Sequence, residues 1–429
     1  MVTFYKNGID FYNDNKEIID NKEIEMPFFK SNSLSIDTFD CYNYCIKISH
    51  DNKYILCVSK YPYNVLIYGD VELVSELANI IFISNLKFKQ ILAFDEIAMK
   101  FIDEYNKLID YKFTINESMD LMICDCKNTI NSCCEKPTKY DIDEIKELTN
   151  QFYLEVFGQE HFENVNLSDY YVLKIDNHIA SICRKTRELD VTASISMVYT
   201  RPEYRNHGYS QQVVATCVND IIDGGKKALL FVDQHNPISN HVYEKIGFKK
   251  VHSFLEIHKT PGNIKKTILA GGCFWCISDS FYEIDGVIDV YSGYSLGNTF
   301  FPTYEEVKSQ ITHHKESIYV IYDSSKIKYE TLINIYFENI DPFDGEGQYI
   351  DRGESYQTGV ITSCPKEIEY FYKVKECLES KYNKEVKVKL YPDTVFYIAE
   401  EYHQKYSIKN PEQFKAEMIE SGRLKKTNL

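Results

Sequence analysis

Two cysteines in the last third of the chain have a spacing that could do redox chemistry. Cys273 and Cys276 follow a short apolar strand that ends in two glycines. The glycines permit a tight turn from strand to helix, which would place Cys273 at a helix N-terminus. There the helix dipole and the free amide groups favour thiolate over thiol, so the pattern predicts that Cys273 is a nucleophile. The neighbouring Phe274 and Trp275 could form an aromatic wall for an apolar methyl group.

A C-x-x-C tetrapeptide is also compatible with half of a zinc site or with two ordinary core cysteines. No second pair stands at a suitable spacing. The chain has 13 cysteines, which we expect to be mostly free thiols in a reducing compartment. Cys124, Cys126, Cys133 and Cys134 form a C-x-C and a C-C pair, and neither matches the C-x₂₋₄-C spacing of structural zinc. We therefore predict no metal site.

The stretch Gly-Cys-Phe-Trp resembles the signature of the peptide methionine sulfoxide reductase A family. Downstream segments are similar to that family in order and spacing, across essentially all of residues 264–429. These segments are Pro-Thr-Tyr-Glu-Glu-Val (302–307), Glu316, Gly-Gln-Tyr-Ile-Asp-Arg-Gly-Glu-Ser-Tyr (347–356) and Ala-Glu-Glu-Tyr-His-Gln (399–404).

The resemblance implies a role for each of the matched residues. A sulfoxide becomes electrophilic at sulfur when its oxygen is protonated or strongly hydrogen-bonded, and a thiolate then attacks the sulfur. Glu316 would be the acid, with a pKa raised by apolar surroundings. Tyr304 and Tyr356 would donate hydrogen bonds to the same oxygen, and Asp351 would orient the substrate. The products would be methionine and a sulfenic acid on Cys273.

We expect Cys276 to resolve the sulfenic acid by forming a Cys273–Cys276 disulfide, which a thioredoxin-type donor would reduce. The family often has Gly at this position and resolves from cysteines near the C-terminus, where this sequence has none after Cys377. Cys364 and Cys377 remain alternative resolvers. One departure is His313, where the family usually has Gly, and it could change the peptide preference.

A second resemblance lies in the middle of the chain. A strand over residues 194–200 and the following loop resemble the acyl-CoA site of the GNAT acetyltransferase family, and residues 236–248 are similar to its second conserved stretch. The physical basis is an anion cradle, in which a loop turning into a helix aims backbone amides at a pyrophosphate. The expected acetyl-CoA contacts are Val198, Thr200, Arg205, Asn206, His207, Gly208, Tyr209, Ser210, Asn236 and Tyr243.

In that stretch the family uses an Asn to contact the cofactor and a Tyr to protonate the leaving thiolate. The acetyl acceptor is not identifiable from the sequence. The alternative is a GNAT fold kept as a rigid binding or scaffolding module.

These residues need elements to position them, and hydrophobic periodicity predicts three units. Residues 1–134 form a mixed α/β region without a chemical motif, for which a further GNAT-like lobe is one interpretation. Residues 135–262 follow the order β-β-β-α-β-α-β after a helix over 141–157, as a GNAT-like domain. Residues 263–429 form the reductase domain, expected as a two-layer α/β sandwich with a ferredoxin-like core. The fold class is thus α+β and multidomain, and the sequence shows no internal repeat.

The charge balance limits the partners. Asp and Glu outnumber Lys and Arg by 64 to 48, which argues against nucleic acid or an anionic membrane as the partner. No signal peptide or membrane span is evident, so we expect a cytoplasmic location. The expected partners are oxidised proteins or free methionine sulfoxide, thioredoxin, and acetyl-CoA.

Three functional hypotheses remain open at this point. The chain is a bifunctional reductase and acyltransferase, or the reductase is the only enzyme and the N-terminal 260 residues are a binding module. In the third, the reductase fold only recognises oxidised methionine, against which the intact Cys273 and Glu316 speak.

Overall fold

The computed structural model describes residues 1–108, 112–161, 164–260 and 262–423. Two predicted features extend beyond these ranges. The apolar spacing predicts a helix over residues 96–109, whose last residue lies outside them, and a turn-rich linker over residues 261–263, whose first residue does. The described residues form two main β-sheets with helices packed on them.

The N-terminal region alternates strands and helices, as its apolar periodicity predicts. Apolar periodicity in the sequence predicts strands near residues 46–50, 54–59 and 64–68 and a helix from residue 72, and all four are present. The elements are β1 Val2–Phe4, α1 Gly8–Asp14, α2 Lys16–Asn21, α3 Phe29–Leu34, β2 Tyr44–His50, β3 Lys53–Ser59, β4 Val65–Gly69, α4 Val74–Ile83, β5 Gln90–Phe94, α5 Asp95–Leu108 and β6 Lys112–Cys124.

The middle region has the predicted order of three strands, helix, strand, helix and strand. The elements are α6 Ile142–Phe157, β7 Tyr170–Ile175, β8 His178–Glu188, β9 Thr192–Thr200, α7 Tyr209–Asp223, β10 Lys227–Asp233, α8 Pro237–Ile246 and β11 Lys249–Thr260. Helix α6 begins one residue after the predicted start and ends where predicted.

Both regions contribute to one sheet of eleven strands within the described residues, in the order β1-β2-β3-β4-β5-β11-β6-β10-β9-β8-β7. Strands β2, β3 and β4 of the first half, to which β1 adds an edge strand, and strands β7, β8 and β9 of the second half are antiparallel. In each half they are followed by helix, strand, helix and strand. The last strand of each half is exchanged: β11 pairs with β5, and β6 pairs with β10. The structure therefore contains a repeat of topology that the sequence does not show.

This exchange of strands bears on the predicted domain boundary between residues 134 and 135. Strand β6 belongs to the first region in sequence but lies between β11 and β10 of the second. The division follows a polar connector in the chain and is not a break in the sheet. Because β6 pairs with β11 from residue 112 to residue 123, neither half has a complete sheet without the other.

The last region forms the second main sheet, which among the described residues has six strands in the order β18-β17-β12-β14-β13-β19. Its helices α9, α11 and α12 connect strands of this sheet. The elements are β12 Ile264–Gly271, α9 Phe274–Asp279, β13 Val287–Ser295, α10 Tyr304–Lys308, β14 Lys315–Asp323, α11 Tyr329–Glu338, β15 Gly347–Gln348, β16 Asp351–Arg352, β17 Thr358–Ile361, α12 Pro365–Tyr382, β18 Lys389–Tyr391, β19 Phe396–Ile398, α13 Tyr406–Lys409 and α14 Pro411–Glu420.

The second sheet packs directly against the N-terminal region. One hydrophobic cluster runs from α4 and α5 into the core of the last region. At the contact, the amide Nδ2 of Asn85 donates to the carbonyl oxygen of Thr394 at 2.9 Å, and the Tyr319 hydroxyl donates to the carbonyl oxygen of Phe82 at 3.4 Å. The last region is therefore docked on the first and not only tethered by the linker.

None of the helices within the described ranges combines the length and the apolar character needed to cross a membrane.

Candidate active site

Helix α9 begins at a turn that only small residues allow. Gly272 has a φ of +79°, and a Cβ there would approach the Cβ of Gln348 to 2.6 Å. The turn leaves Cys273 as the residue that caps the helix N-terminus, as predicted from the two glycines. The sulfur of Cys273 is thus presented at the C-terminal end of β12, where the loop over residues 347–356 meets it.

The carboxyl group of Glu316 lies against the start of this helix. Glu316 is 2% exposed, and its Oε2 accepts a hydrogen bond from the Phe274 N–H at 3.0 Å. Burial, followed by the negative charges of Cys273 and Asp351, raises the pKa of Glu316 well above its usual value. The Phe274 N–H bond and the charge of Arg423 act in the opposite direction without reversing it. The raised pKa favours the protonated carboxyl, which is the form that an acid in this position must have.

The two predicted tyrosines face the same point. Burial raises the pKa of Tyr304, and the charges of Glu316 and Cys273 raise it further. Burial and the charges of Glu316 and Tyr304 act in the same direction on the pKa of Tyr356. Both hydroxyls are neutral donors at physiological pH. The structure thus brings Tyr304, Tyr356 and Asp351 together around Cys273 and Glu316.

The thiol of Cys273 differs from the sequence-based expectation in one respect. Its position at the helix N-terminus was expected to favour the thiolate, but a hydrogen bond with Cys276, then burial and the charges of Cys276 and Asp351, raise the pKa of Cys273 well above its usual value. The expectation was wrong because α9 has only six residues and its dipole acts in a buried, anionic setting. Cys273 is a neutral thiol in the resting site.

Aromatic side chains enclose the site on one side. Phe274 is buried and its ring lies 5.0 Å from that of His403, while Trp275 stacks on Tyr406 with centroids 3.8 Å apart. Tyr304 lies 4.4 Å from His403. The sequence predicted Phe274 and Trp275 but did not single out His403 and Tyr406. His403 lies in the segment 399–404 that resembles the reductase family, and this resemblance could have identified it.

The three candidate resolving cysteines differ in position. Cys276 lies one turn along α9, with its N–H bonded to the Cys273 carbonyl at 3.1 Å. Strand β17 pairs Thr358 with Gly271 and Ile361 with Ile268, so the chain moves away from Cys273 before it reaches Cys364. Cys377 lines a surface groove between α11 and α12. Cys276 is the thiol that the structure places next to Cys273.

Arg423 is a further charged residue at this site, and it lies in none of the motifs recognised in the sequence. It follows α14, and its Nη2 lies 2.8 Å from Oδ2 of Asp351 and 3.3 Å from the carbonyl oxygen of Gln348. Its guanidinium also sits over the ring of Tyr349, 4.7 Å from the centroid. The C-terminal segment therefore closes the loop that carries Asp351.

The predicted acetyl-CoA loop has an open geometry. Gly208 has a φ of +75° and nothing within 4 Å of where a Cβ would stand, immediately before the first turn of α7. Arg205, Asn206 and His207 are exposed. Arg205 folds back on the protein, where it donates to the carbonyl oxygen of Thr200 and to Glu155. Free amides of a 15-residue helix thus face solvent at this loop.

Next to this loop the sheet opens. Strands β9 and β10 run parallel and pair only from Thr192 with Lys227 to Ser194 with Leu229, although both continue further. Val198, Tyr209 and Tyr243 meet in one apolar cluster on the helix-covered face. Asn236 instead caps α8, where its side chain accepts from the Ser239 N–H at 3.1 Å. The separation of β9 and β10 leaves an open slot beside the N-terminus of α7, and Asn236 is engaged in capping α8.

The described residues contain no cluster of three or more His, Cys, Asp or Glu side chains that could hold a metal ion. Of the four cysteines near residues 124–134, Cys124 is buried and its thiol donates to the carbonyl oxygen of Cys126. Cys126 and Cys133 are exposed.

Comparison with known proteins gives two family matches. Residues 265–428 match the model described as peptide methionine sulfoxide reductase, and residues 176–255 match the model described as FR47-like protein. The peptide methionine sulfoxide reductase MsrA of Leuconostoc mesenteroides is 38% identical over 159 residues, which cover 37% of this chain and 93% of that protein. The Bacillus licheniformis protein of the same name is 42% identical over 156 residues, covering 36% of this chain and 86% of its own length.

Among solved structures, a GCN5-related N-acetyltransferase from Sphaerobacter thermophilus aligns with 61% of this chain and 96% of its own, with a TM-score of 0.43 and 12% identity. A score this low carries no weight alone. The two family matches confirm the resemblances read from the sequence, one for the last region and one for the middle region.

Proposed function

This chain belongs to the peptide methionine sulfoxide reductase family, and from that premise we propose that Cys273 attacks a methionine-S-sulfoxide while Glu316 acts as the acid. The observation that carries the proposal is the buried Glu316 carboxyl, which accepts a hydrogen bond from the Phe274 N–H at the start of the helix that Cys273 caps. Burial raises its pKa and so favours the protonated form, which can donate its proton to a sulfoxide oxygen.

The first step balances without an external acid. The Cys273 sulfur forms a bond with the sulfoxide sulfur, and the sulfoxide oxygen takes a proton as the thiol loses one. Transfer of that oxygen to Cys273 breaks the S–O bond of the sulfoxide and the bond between the two sulfurs, which leaves a sulfenic acid on Cys273 and releases methionine. Tyr304 and Tyr356 contribute neutral hydrogen bonds to the oxygen, which stabilise its developing charge in a site of low dielectric.

Substrate selection follows from the enclosing rings. Phe274 and Trp275 would hold the methyl group of the sulfoxide, with Trp275 fixed by stacking on Tyr406. Burial lowers the pKa of His403, so this ring is neutral and adds an apolar surface instead of a charge. Oxidised proteins and free methionine sulfoxide are both candidate substrates, and Asp351 would orient them.

Resolution is assigned to Cys276, and the disulfide that it forms with Cys273 would be reduced by thioredoxin. Cys276 is close enough because it lies one turn along the same helix. Cys364 and Cys377 are weaker alternatives, since the first is reached only after β17 has led away from Cys273 and the second lines an outer groove.

The test follows turnover of the two methionine sulfoxide epimers by the full chain, with thioredoxin or dithiothreitol as reductant. We expect consumption of the S epimer only, no turnover by Cys273→Ser, and turnover by Cys276→Ser with dithiothreitol alone. Cys364→Ser and Cys377→Ser serve as matched controls and should keep thioredoxin-dependent turnover. If either control lost its thioredoxin-dependent turnover, the altered cysteine would be the resolver instead of Cys276.

A second activity, acetyl transfer from acetyl-CoA, is proposed for residues 135–262. It is favoured by the slot between β9 and β10 and by the exposed turn at Gly208 that leads into α7. Bound acetyl-CoA would supply an activated acetyl group. The amides of residues 206–210 would hold its pyrophosphate, and burial raises the pKa of Tyr243, which keeps that hydroxyl protonated for the leaving thiolate.

A scaffold without cofactor binding is the alternative. Calorimetric titration of the full chain with acetyl-CoA separates the two, because a scaffold has no need for a pyrophosphate cradle. Saturable binding with one site per chain is the expected result. Absence of binding at millimolar acetyl-CoA would leave the reductase as the single enzyme and the preceding residues as a structural support.

A further inference from the structure

The C-terminal segment brings a cation into the reductase site. Arg423 is 72 positions from Asp351 in sequence, yet its guanidinium and that carboxylate are 2.8 Å apart. The side chain of Arg423 is 8% exposed, so this is a largely dehydrated ion pair. The second bond, to the carbonyl oxygen of Gln348, fixes the guanidinium against the same loop.

The guanidinium also acts on the two thiols. Burial alone would lower the pKa of Arg423, but the pKa is raised because the charge of Cys276, the hydrogen bond to Asp351 and the charge of Cys273 outweigh it. Gln348, whose carbonyl oxygen accepts a hydrogen bond from Arg423, also lies against Gly272, the residue before Cys273. The guanidinium is therefore fixed to the loop that adjoins the turn leading into the helix of both thiols.

We propose that Arg423 is a positioning residue for the resolving step, which holds Asp351 in place and sets a positive charge beside Cys276 as that sulfur attacks the sulfenic acid. This inference rests on the proposed function, because it takes Cys276 as the resolver. The C-terminal segment of this chain would then assist resolution through an arginine instead of supplying a cysteine.

The step requires no co-reactant. The Cys276 sulfur bonds to the Cys273 sulfur as the S–O bond of the sulfenic acid breaks. The hydroxyl leaves as water with the proton that Cys276 loses. A nearby guanidinium lowers the free energy of the negative charge that develops on Cys276 as it attacks.

Other ionisable groups act on the Cys273 sulfur. They come from β14, from α10, from the loop that ends at residue 356, and from α13, and they are Glu316, Tyr304, Tyr356 and Tyr406. Burial raises the pKa of each of these groups, which favours the neutral form of the carboxyl and of the three hydroxyls. None of the four supplies the positive charge that Arg423 carries.

The experiment separates the two chemical steps in the full chain. Reduced enzyme is mixed with one equivalent of a blocked methionine-S-sulfoxide and quenched at intervals, and both released methionine and remaining free thiols are measured between pH 6 and pH 9. The variants are Arg423→Gln, Arg423→Lys and the control Arg352→Gln. Arg352 forms an ion pair with Asp344 in the same loop, but its side chain is 47% exposed.

In Arg423→Gln we expect the loss of the second thiol, which reports the attack of Cys276, to slow about tenfold at pH 7. The pH midpoint of that loss should rise by about one unit, because a close opposite charge shifts a titration by this order. Methionine release should change less. Arg423→Lys should restore most of the rate because it keeps the charge, and Arg352→Gln should match the wild type in both steps.

Two results would overturn the proposal. One is thiol loss in Arg423→Gln with the wild-type rate and pH profile. The other is Arg423→Lys as slow as Arg423→Gln, which would reduce Arg423 to a structural fastening of the loop. Failure of the proposed function looks different, because wild type would then release no methionine, or would release it with the loss of one thiol instead of two, and this inference would fall with it.

Discussion

The two candidate sites of this molecule are built in opposite ways. In the reductase region, the carboxyl of Glu316 and the thiol of Cys273 are held close together. Cys273 raises the pKa of Glu316, and Asp351 raises the pKa of both groups. In the middle region, residues 205–208 are exposed and present backbone amides to solvent. The closed site depends on individual side chains and their protonation, whereas the open one depends on the shape of a turn. Substitutions should therefore affect the two sites in different ways.

The largest effect is expected in the closed site. Glu316→Gln keeps the shape and a hydrogen-bonding amide but loses the transferable proton, so kcat/KM for the sulfoxide should fall about 10²- to 10⁴-fold. Steady-state turnover with dithiothreitol measures it. The matched control is Glu330→Gln, on the exposed face of α11, which should leave turnover unchanged. A loss under fivefold in Glu316→Gln would contradict the role of an acid.

The pH dependence of the closed site gives a second effect. The pKa of Glu316 is raised, so the acid form persists above the pH at which a free carboxyl ionises and is lost only as the pH rises through the raised value. Once that value is passed, the single-turnover rate of methionine release should fall by about tenfold per pH unit.

The Glu316→Gln variant should lack this alkaline decline, since it has no carboxyl proton to lose. An unchanged decline in the variant would assign it to another group. The same sign applies to stability, because a buried carboxyl that must ionise costs folding energy above its unfolded pKa and not below it.

The smallest effect tests the shape of the open turn. Gly208 and Gly225 have φ values of +75° and +76°, and a Cβ at either would meet nothing within 4 Å. Valine at each position should therefore cost a similar amount of stability, of order 1–2 kcal/mol. Only Gly208→Val should weaken acetyl-CoA binding, by about tenfold, as measured by calorimetric titration. Equal weakening in both variants would mean that the turn contributes through stability alone.

Local patterns predicted local structure well in this chain. The two glycines before Cys273 predicted a tight turn and a helix start, and both are present. Apolar periodicity predicted the seven successive elements of the middle region, because the burial of one face of a strand or helix is written in nearby residues. The family segments around Tyr304, Glu316 and Tyr356 predicted which residues would lie near one another, since their spacing reflects the common fold.

What the sequence did not predict depends on distant contacts. The pairing of β5 with β11 joins residues 90–94 to residues 254–258, and no local period encodes such a partner. Arg423 reaches Asp351 across another long separation, from a position with no motif. The direction of the Cys273 pKa was also mispredicted, because the dipole of a helix can be read from sequence but burial and neighbouring charges cannot.

The exchange of β6 and β11 has a consequence for how the chain is made. A ribosome that adds about 5–20 residues per second needs about 8–30 seconds to pass from the end of β5 to the start of β11. During that interval β5 has a free edge, which can attract other strands. The first residues of the reductase follow β11 almost at once, so the nascent chain acquires its redox activity only after the earlier sheet can close. Codon usage or chaperone supply over residues 95–260 should therefore influence the yield of active reductase, although none of those residues lies in its active site.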